Sequence, residues 1–227
     1  MADNADDLIT QKDKAKEEED AIKNYRNYLE SLVKDASPDI FLNKGTAHAS
    51  VLMATLLKNT HKSVKMYCAG LRPGILCGKE EGANGDEKKV GFQGVYWTEF
   101  KRLFEKRIED SSFGKNSVKI LIQSDEYLQN MPFKKIKESA ARNNEIKNKI
   151  EVKRITDSDR AYVKYVLSSI KCNGDYNFSV FDNTMFRLEY DIDQYKAIGS
   201  FNDPSWCKIL NALFDVVYES ATLVSLA

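Results

Sequence analysis

Four carboxylates in the last quarter of the chain are the residues whose type and spacing best suit chemistry. They are Asp175, Asp182, Glu189 and Asp191. Carboxylate oxygens bind divalent cations, and a bound cation can activate water for attack on a phosphodiester. One hypothesis is therefore a metal-dependent phosphodiesterase or nuclease that uses these acidic residues.

Arg187 lies in the same stretch, two residues before Glu189. Side chains at this spacing lie on one face of a strand. The pair predicts either an ion pair that fixes a hairpin or a guanidinium that binds an anionic ligand. The phosphate-cradling glycine motifs, the G-x-S-x-G elbow and the H-E-x-x-H helix are all absent from the sequence. No cofactor and no metal site of these kinds is predicted.

The chain has two histidines, His48 and His61, which are 13 residues apart at the two ends of one predicted helix. This spacing does not form an i,i+4 metal pair, so each is predicted to be a surface or capping residue. No two cysteines form a C-x-x-C pair, which predicts free thiols in a reducing compartment. The cysteines are Cys68, Cys77, Cys172 and Cys207.

Composition limits the classes of protein to which the chain can belong. Its 227 residues and 42% hydrophobic content suit one domain of ordinary size with an extension. Lysine and arginine number 34, and so do aspartate and glutamate, which argues against a typical nucleic-acid binder.

The segment 133–154 is nevertheless basic, with eight Lys/Arg against three Glu. Nucleic acid, an acidic partner or the chain's own acidic start could contact it, although a solvated helix face is the default interpretation.

No apolar run approaches the roughly 20 residues that cross a membrane. The first residues, Met1-Ala2-Asp3-Asn4, lack the basic and then apolar order of a signal peptide. We therefore expect a soluble, cytoplasmic protein with no membrane partner.

Two regions are predicted. Residues 1–37 form an acidic N-terminal extension, in which Ile22, Tyr25, Leu29 and Leu32 define the apolar stripe of a helix over roughly 13–34. That stripe must dock on this domain or on a partner, and we predict a protein partner or self-association through it. Residues 38–227 form the second region.

The second region alternates strands and helices before a hairpin. Two successive strand–helix–strand units imply parallel strands, so we predict an α/β fold with a mixed, largely parallel sheet and helices on both faces. The glycine-rich stretch 70–94 is predicted to be a long loop that is either a functional lid or a tolerated insertion. The predicted strands are 64–69, 118–123, 150–155, 177–182, 185–190 and 196–200.

The element order over roughly 40–225 resembles a single repeat of the phospholipase D-like fold. The segments that carry the resemblance are HASVLMATLLKNTHKSVKMYCAGL, NFSVFDNTMFRLEYD and KAIGSFNDPSWCKILNALFDVVYES. That family has an H-x-K-x4-D signature followed by Gly-Ser and Asn. Its histidine attacks phosphorus, its lysine binds phosphate oxygens, and single-repeat members complete the site by dimerising.

The chain departs from this signature in either alignment. If Asp182 takes the aspartate position, Asp175 and Asn177 take those of histidine and lysine. If residues 199–202 (GSFN) are the Gly-Ser-x-Asn element, Met185 and Arg187 take them instead, and Ile192 falls at the aspartate. Neither alignment supplies an imidazole, so the phosphohistidine step is unavailable at the usual position.

The resemblance therefore implies a catalytically inactive relative of the family. We expect an interaction or ligand-sensing subunit of a larger assembly, such as an anti-phage defence system. Its ligand-binding residues would be Asp182, Arg187, Glu189 and Asn202. A metal-dependent nuclease and a nucleic-acid-binding accessory protein remain the alternatives.

Overall fold

The structure is a computed structural model. It describes residues 3–43, 45–68, 71, 79–81, 87–89, 94–170 and 175–226. Most of the predicted glycine-rich loop lies outside these residues, and the described part of it includes two three-residue strands that pair antiparallel. Whether that loop acts as a lid stays a prediction.

The elements alternate along most of the chain. The first half contains α1 (Asp3–Lys34), β1 (Phe41–Asn43), α2 (Gly45–Lys58), β2 (Val64–Tyr67), β3 (Lys79–Glu81), β4 (Glu87–Lys89), α3 (Val95–Glu105) and β5 (Val118–Ile122). The second half contains α4 (Met131–Arg142), α5 (Asn144–Lys149), β6 (Ile150–Arg154), α6 (Asp157–Val166), β7 (Asn177–Phe181), β8 (Met185–Asp191), β9 (Lys196–Ser200), α7 (Pro204–Ser220) and β10 (Thr222–Leu223).

Eight strands form one mixed sheet in the order β1-β9-β8-β7-β2-β5-β6-β10. Only β2/β5 and β5/β6 pair in parallel, and the other five neighbouring pairs are antiparallel. The prediction of a largely parallel sheet is therefore wrong. The strand–helix–strand units do pair in parallel, but β2 has an antiparallel neighbour in β7 on its other side. The short edge strands β1 and β10, which the sequence did not predict, add two more antiparallel pairs.

Helices cover both faces of the sheet, as predicted. Alternating residues of each strand contribute to two separate cores. Val64, Val118 and Val152 belong to the core that α1 to α5 cover. Tyr67, Leu121 and the other alternate positions belong to the core under α6 and α7. Among the described residues, no helix combines the length and apolarity that crossing a membrane requires.

The helix α1 begins ten residues earlier than predicted, because the acidic run does not interrupt it. Ile22, Leu29 and Leu32 are buried in the core shared with α2. The helix ends in a Schellman-type motif, in which Ser37 donates to the carbonyl of Leu32 and Ala36 adopts φ 46°. The apolar stripe of α1 is thus docked on this domain.

Candidate functional site

The hairpin of β7 and β8 carries most of the predicted site residues. Asp182 and Asn183 form its turn with φ values of 52° and 62°. The left-handed region is accessible to Asp and Asn at little cost, and a turn of this kind matches the twist of a hairpin. The sequence therefore specifies both the hairpin and its register, Phe181 opposite Met185 and Ser179 opposite Arg187.

The carboxylate of Asp182 accepts three backbone hydrogen bonds. The N–H groups of His61, Lys62 and Ser63 donate to it at 2.6, 2.8 and 2.8 Å. These contacts join the hairpin turn to the loop that precedes β2. Both carboxylate oxygens of Asp182 therefore accept hydrogen bonds from the backbone, so Asp182 anchors this loop to the hairpin turn.

Arg187 and Glu189 form a buried ion pair on the face of the sheet that α1 and α2 cover. Arg187 Nη2 lies 2.8 Å from Glu189 Oε1, and the two residues are only 8% and 4% exposed. Asn43 accepts from Arg187 Nε at 3.3 Å, and Asn177 donates to the other Glu189 oxygen at 2.7 Å. Each charged group therefore has at least one neutral hydrogen-bond partner besides its counter-ion, which is the condition for burying such a pair.

The helix α1 lies over this cluster. The Tyr25 hydroxyl donates to the carbonyl of Leu42 at 3.4 Å. Burial raises the pKa of Tyr25, and the nearby positive charge of Arg187 opposes that rise. Tyr25 thus separates the ion pair from His48, whose ring stacks on it at 4.1 Å between centroids. Burial also lowers the pKa of His48 below its ordinary value of 6.5.

Neither histidine lies on the strands of the hairpin. His48 lies in the first turn of α2, where its described ring contact is with Tyr25. His61 lies in the loop after α2 and is exposed, and it meets the hairpin through its backbone N–H. Met185, the residue that one alignment places at the nucleophile position, is buried in the core.

The four carboxylates do not come together. Asp175 contacts Arg160 and Lys164 of α6. Although burial alone would raise the pKa of Asp175, hydrogen bonds from Lys164 and Arg160 hold it below its ordinary value. Asp191 lies 3.5 Å from Lys196 and accepts from the backbone of Gln194. Within the described ranges, no group of three or more His, Cys, Asp or Glu side chains could hold a metal ion.

Asn202, the fourth predicted ligand residue, is tied to the end of α1. Its side-chain amide donates to the carbonyl of Ala36 at 2.7 Å, and its backbone N–H donates to Ser200. Of the predicted residues, only Arg187 and Glu189 contact one another. Asn43 is not among the predicted residues, because the three-residue strand β1 has no recognisable signal in the sequence.

The basic segment 133–154 is largely occupied by contacts within the chain. Arg142 donates to the carbonyls of Phe104 and Glu105, and Lys149 donates to that of Ile108. These cations satisfy carbonyl groups at helix ends, where positive charge is favoured. Lys135, Lys153 and Arg154 also have acidic or carbonyl partners. The cations of this segment that have no such side-chain partner in the described part of the chain are Lys134, Lys137 and Lys147.

Comparisons with known proteins give distant structural neighbours only. No family model matches the sequence, and no curated protein matches it. The chain is similar to the structure of TrmBL2, described as an archaeal chromatin protein that shows a novel mode of DNA binding. The TM-score is 0.44 and the identity 15%, over 96% of this chain and 68% of that chain.

A second neighbour is NUC of Salmonella typhimurium, described as a phospholipase D family member. The TM-score is 0.45 and the identity 11%, over 82% of this chain and 99% of that chain. This neighbour comes from the family that the sequence resembles. At these TM-scores and identities, neither neighbour assigns a function to this chain.

Proposed function

We propose that this chain is a non-catalytic interaction subunit of a larger assembly, built on a phospholipase D-like α/β repeat. The observation that carries the proposal is the buried pair of Arg187 and Glu189 beside Met185. In the alignment that uses GSFN, Met185 and Arg187 take the positions where the family would place its nucleophile and its phosphate-binding residue. Here one is apolar, and the other is neutralised within the protein.

The same observation favours partner binding over ligand sensing. An anionic ligand at Arg187 would have to displace Glu189 and Asn43 and pass under α1, which lies over the pair. Asp182 and Asn202 have backbone partners elsewhere, so the four predicted ligand residues do not form one pocket. Ligand sensing through Arg187 is the weaker form of the proposal.

The amino-terminal part of α1 is the surface that we assign to the partner. At 1.5 Å per residue, the 32-residue helix is about 48 Å long, and Ile22 is the first buried residue among those of its positions whose burial is described. The residues just before it are exposed at every position whose burial is described: Lys16, Glu17, Glu19, Asp20 and Ala21. This segment is acidic, so the partner surface that it suits is basic.

The test is co-expression with the products of neighbouring genes, followed by size-exclusion chromatography. Full-length chain should elute as a complex, and a chain that lacks residues 1–20 should elute alone. This truncation spares Ile22 and Leu29, so the domain should keep its unfolding midpoint, which circular dichroism checks. A complex that forms equally well without residues 1–20 would remove the assignment to α1. A full-length chain that binds none of these products would argue against the interaction role itself.

Assays with DNA, RNA and a generic phosphodiester, with and without Mg²⁺ or Mn²⁺, address the alternatives. The proposal predicts no hydrolysis above the blank. The nuclease hypothesis instead predicts metal-dependent turnover that Glu189→Gln abolishes. Salt-dependent binding of DNA that is lost on charge reversal of Lys134 would favour the nucleic-acid-binding alternative.

A further inference from the structure

The carboxyl-terminal segment 222–226 covers only part of the outer edge of β6. Thr222 pairs with Arg154 and Leu223 with Lys153, and the Val224 N–H donates to the carbonyl of Val152 at 2.9 Å. The ladder therefore spans only two residue pairs and this one further bond. Leu223 is 64% exposed, whereas Val224 and Leu226 are partly buried against the core.

Two clefts run beside this segment. One has a volume of about 520 Å³ and the other about 460 Å³. Both are lined by Lys147 and Leu226, so they adjoin under the end of the chain. Ile150 and Val152 of β6 line the first cleft, and Ala140 of α4 lines the second. An edge strand beside an apolar groove can accept an added strand through its backbone groups.

In the described part of the chain, two lysines that line the groove have no ion-pair partner, whereas its two glutamates each have a lysine within 4 Å. Glu138 lies 3.3 Å from Lys135, and Glu151 lies 3.8 Å from Lys153. Lys137 and Lys147 also line the clefts. Neither has an ion-pair partner among the residues that the structure describes. Two ammonium groups thus border the groove without a counter-ion, and they complement an acidic occupant.

We propose that this groove binds an extended, acidic segment of a partner protein, which adds to β6 as a strand in place of residues 222–226. Backbone hydrogen bonds along β6 would give affinity, and the two lysines would select acidic flanking residues. Residues 222–226 act as an internal competitor, because partner binding must first displace them. This site is at the opposite edge of the sheet from β1 and is independent of the role proposed for α1.

The probe is a fluorescein-labelled peptide with the sequence of residues 221–226 flanked by glutamates, and the readout is fluorescence anisotropy with the full chain. Val224→Pro removes the N–H that donates to Val152 and releases the segment without shortening the chain. Because release raises the binding-competent fraction, we expect this variant to bind the peptide about tenfold more tightly than the parent. Circular dichroism establishes that the variant is folded.

Charge reversal at the two lysines tests the selectivity. The double variant Lys137→Glu/Lys147→Glu should weaken peptide binding about fivefold or more, since each exposed charge pair contributes up to about 1 kcal/mol. The matched control is Lys134→Glu, which changes an exposed lysine of α4 outside the groove and should bind the peptide like the parent chain.

Three results would overturn the proposal. The first is no saturable binding to the folded Val224→Pro variant up to about 1 mM peptide, a concentration at which even weak sites fill. The second is equal loss of binding in the double variant and in Lys134→Glu. The third is equal binding of a peptide whose flanking glutamates are replaced by lysines.

Discussion

At the scale of the residue, Arg187 and Glu189 form the buried ion pair on which the proposed non-catalytic role rests. A charge that is buried and paired inside the protein supports the fold, because breaking the pair leaves the other charge without compensation. The sequence correctly put the two side chains on one face of a strand. The sequence left open whether the two side chains bind each other or a ligand. Their burial under α1 depends on contacts between residues that are far apart in the chain.

Removal of one member of this pair should strongly destabilise the protein. Glu189→Leu should lower the free energy of unfolding by about 3–5 kcal/mol, because Arg187 then stays buried without a counter-ion. The double variant Arg187→Met/Glu189→Leu should be much closer to the parent. Urea unfolding of the single and double variants measures the coupling. Additive effects of the two substitutions would contradict a structural ion pair.

Asp182 should contribute to stability through its hydrogen bonds to the loop before β2. Asp182→Asn removes the charge and one acceptor oxygen, so at least one of the three N–H donors of residues 61–63 loses its charged acceptor. We expect a loss of about 1–3 kcal/mol in unfolding free energy. The matched control is Asp193→Asn, an exposed aspartate in the β8–β9 connection, which should change little. Equal stability of the two variants would refute the anchoring role.

At the scale of the element, the docking of α1 should depend on pH through His48. The pKa of this residue is lowered below 6.5 by burial against Tyr25. The unfolded chain therefore binds the proton more readily than the folded chain, and stability falls as the pH decreases below about 6.5. We expect His48→Phe, which keeps a ring for stacking, to lose this component of the pH dependence.

The measurement is the unfolding free energy of the parent and of His48→Phe between pH 7.5 and pH 5. The difference between the two proteins should change across this range, with the parent losing more stability at the acidic end. A constant difference at every pH would show that His48 does not couple α1 to protonation.

The strand β9 approaches β1 so closely that it requires glycine at one position. A Cβ on Gly199 would lie 2.5 Å from the ring of Phe41 and would also meet the Phe186 carbonyl. Gly199→Ala should therefore cost about 1–3 kcal/mol through overpacking. The control is Gly114→Ala, where a Cβ would meet nothing within 4 Å. If both variants melted at the same temperature, the sheet edge could not be packed as described.

The elements show which parts of the fold were predictable. The strands β7 and β8 were predicted to within one residue at each end, because the signals of a hairpin are local. Residues 131–149 form two helices and not one, because Asn143 caps a new helix by accepting from the N–H of Ile146. Strand pairing depends on which distant strands meet, so the sequence indicated neither the antiparallel β2/β7 pair nor the edge strands.

At the scale of the whole molecule, the chain is a mixed sheet whose two faces are both closed by helices. Acidic and basic residues are equal in number over the chain. Charge is also compensated locally, because most cations of the basic segment 133–154 contact carbonyls or acids of the same chain. Two places at the periphery suit a partner: the exposed acidic part of α1 and the β6 edge. These are the places where we expect partners, and the interior of the sheet is where we expect none.

The claim that the site on β8 is structural and not catalytic is tested most directly by hydrolysis of bis(p-nitrophenyl) phosphate. The parent chain and Arg187→Met should both give the rate of the buffer blank, with and without divalent metal. Turnover by the parent that exceeds the blank and disappears in folded Arg187→Met would contradict the claim, because Arg187 would then act on a substrate rather than on Glu189.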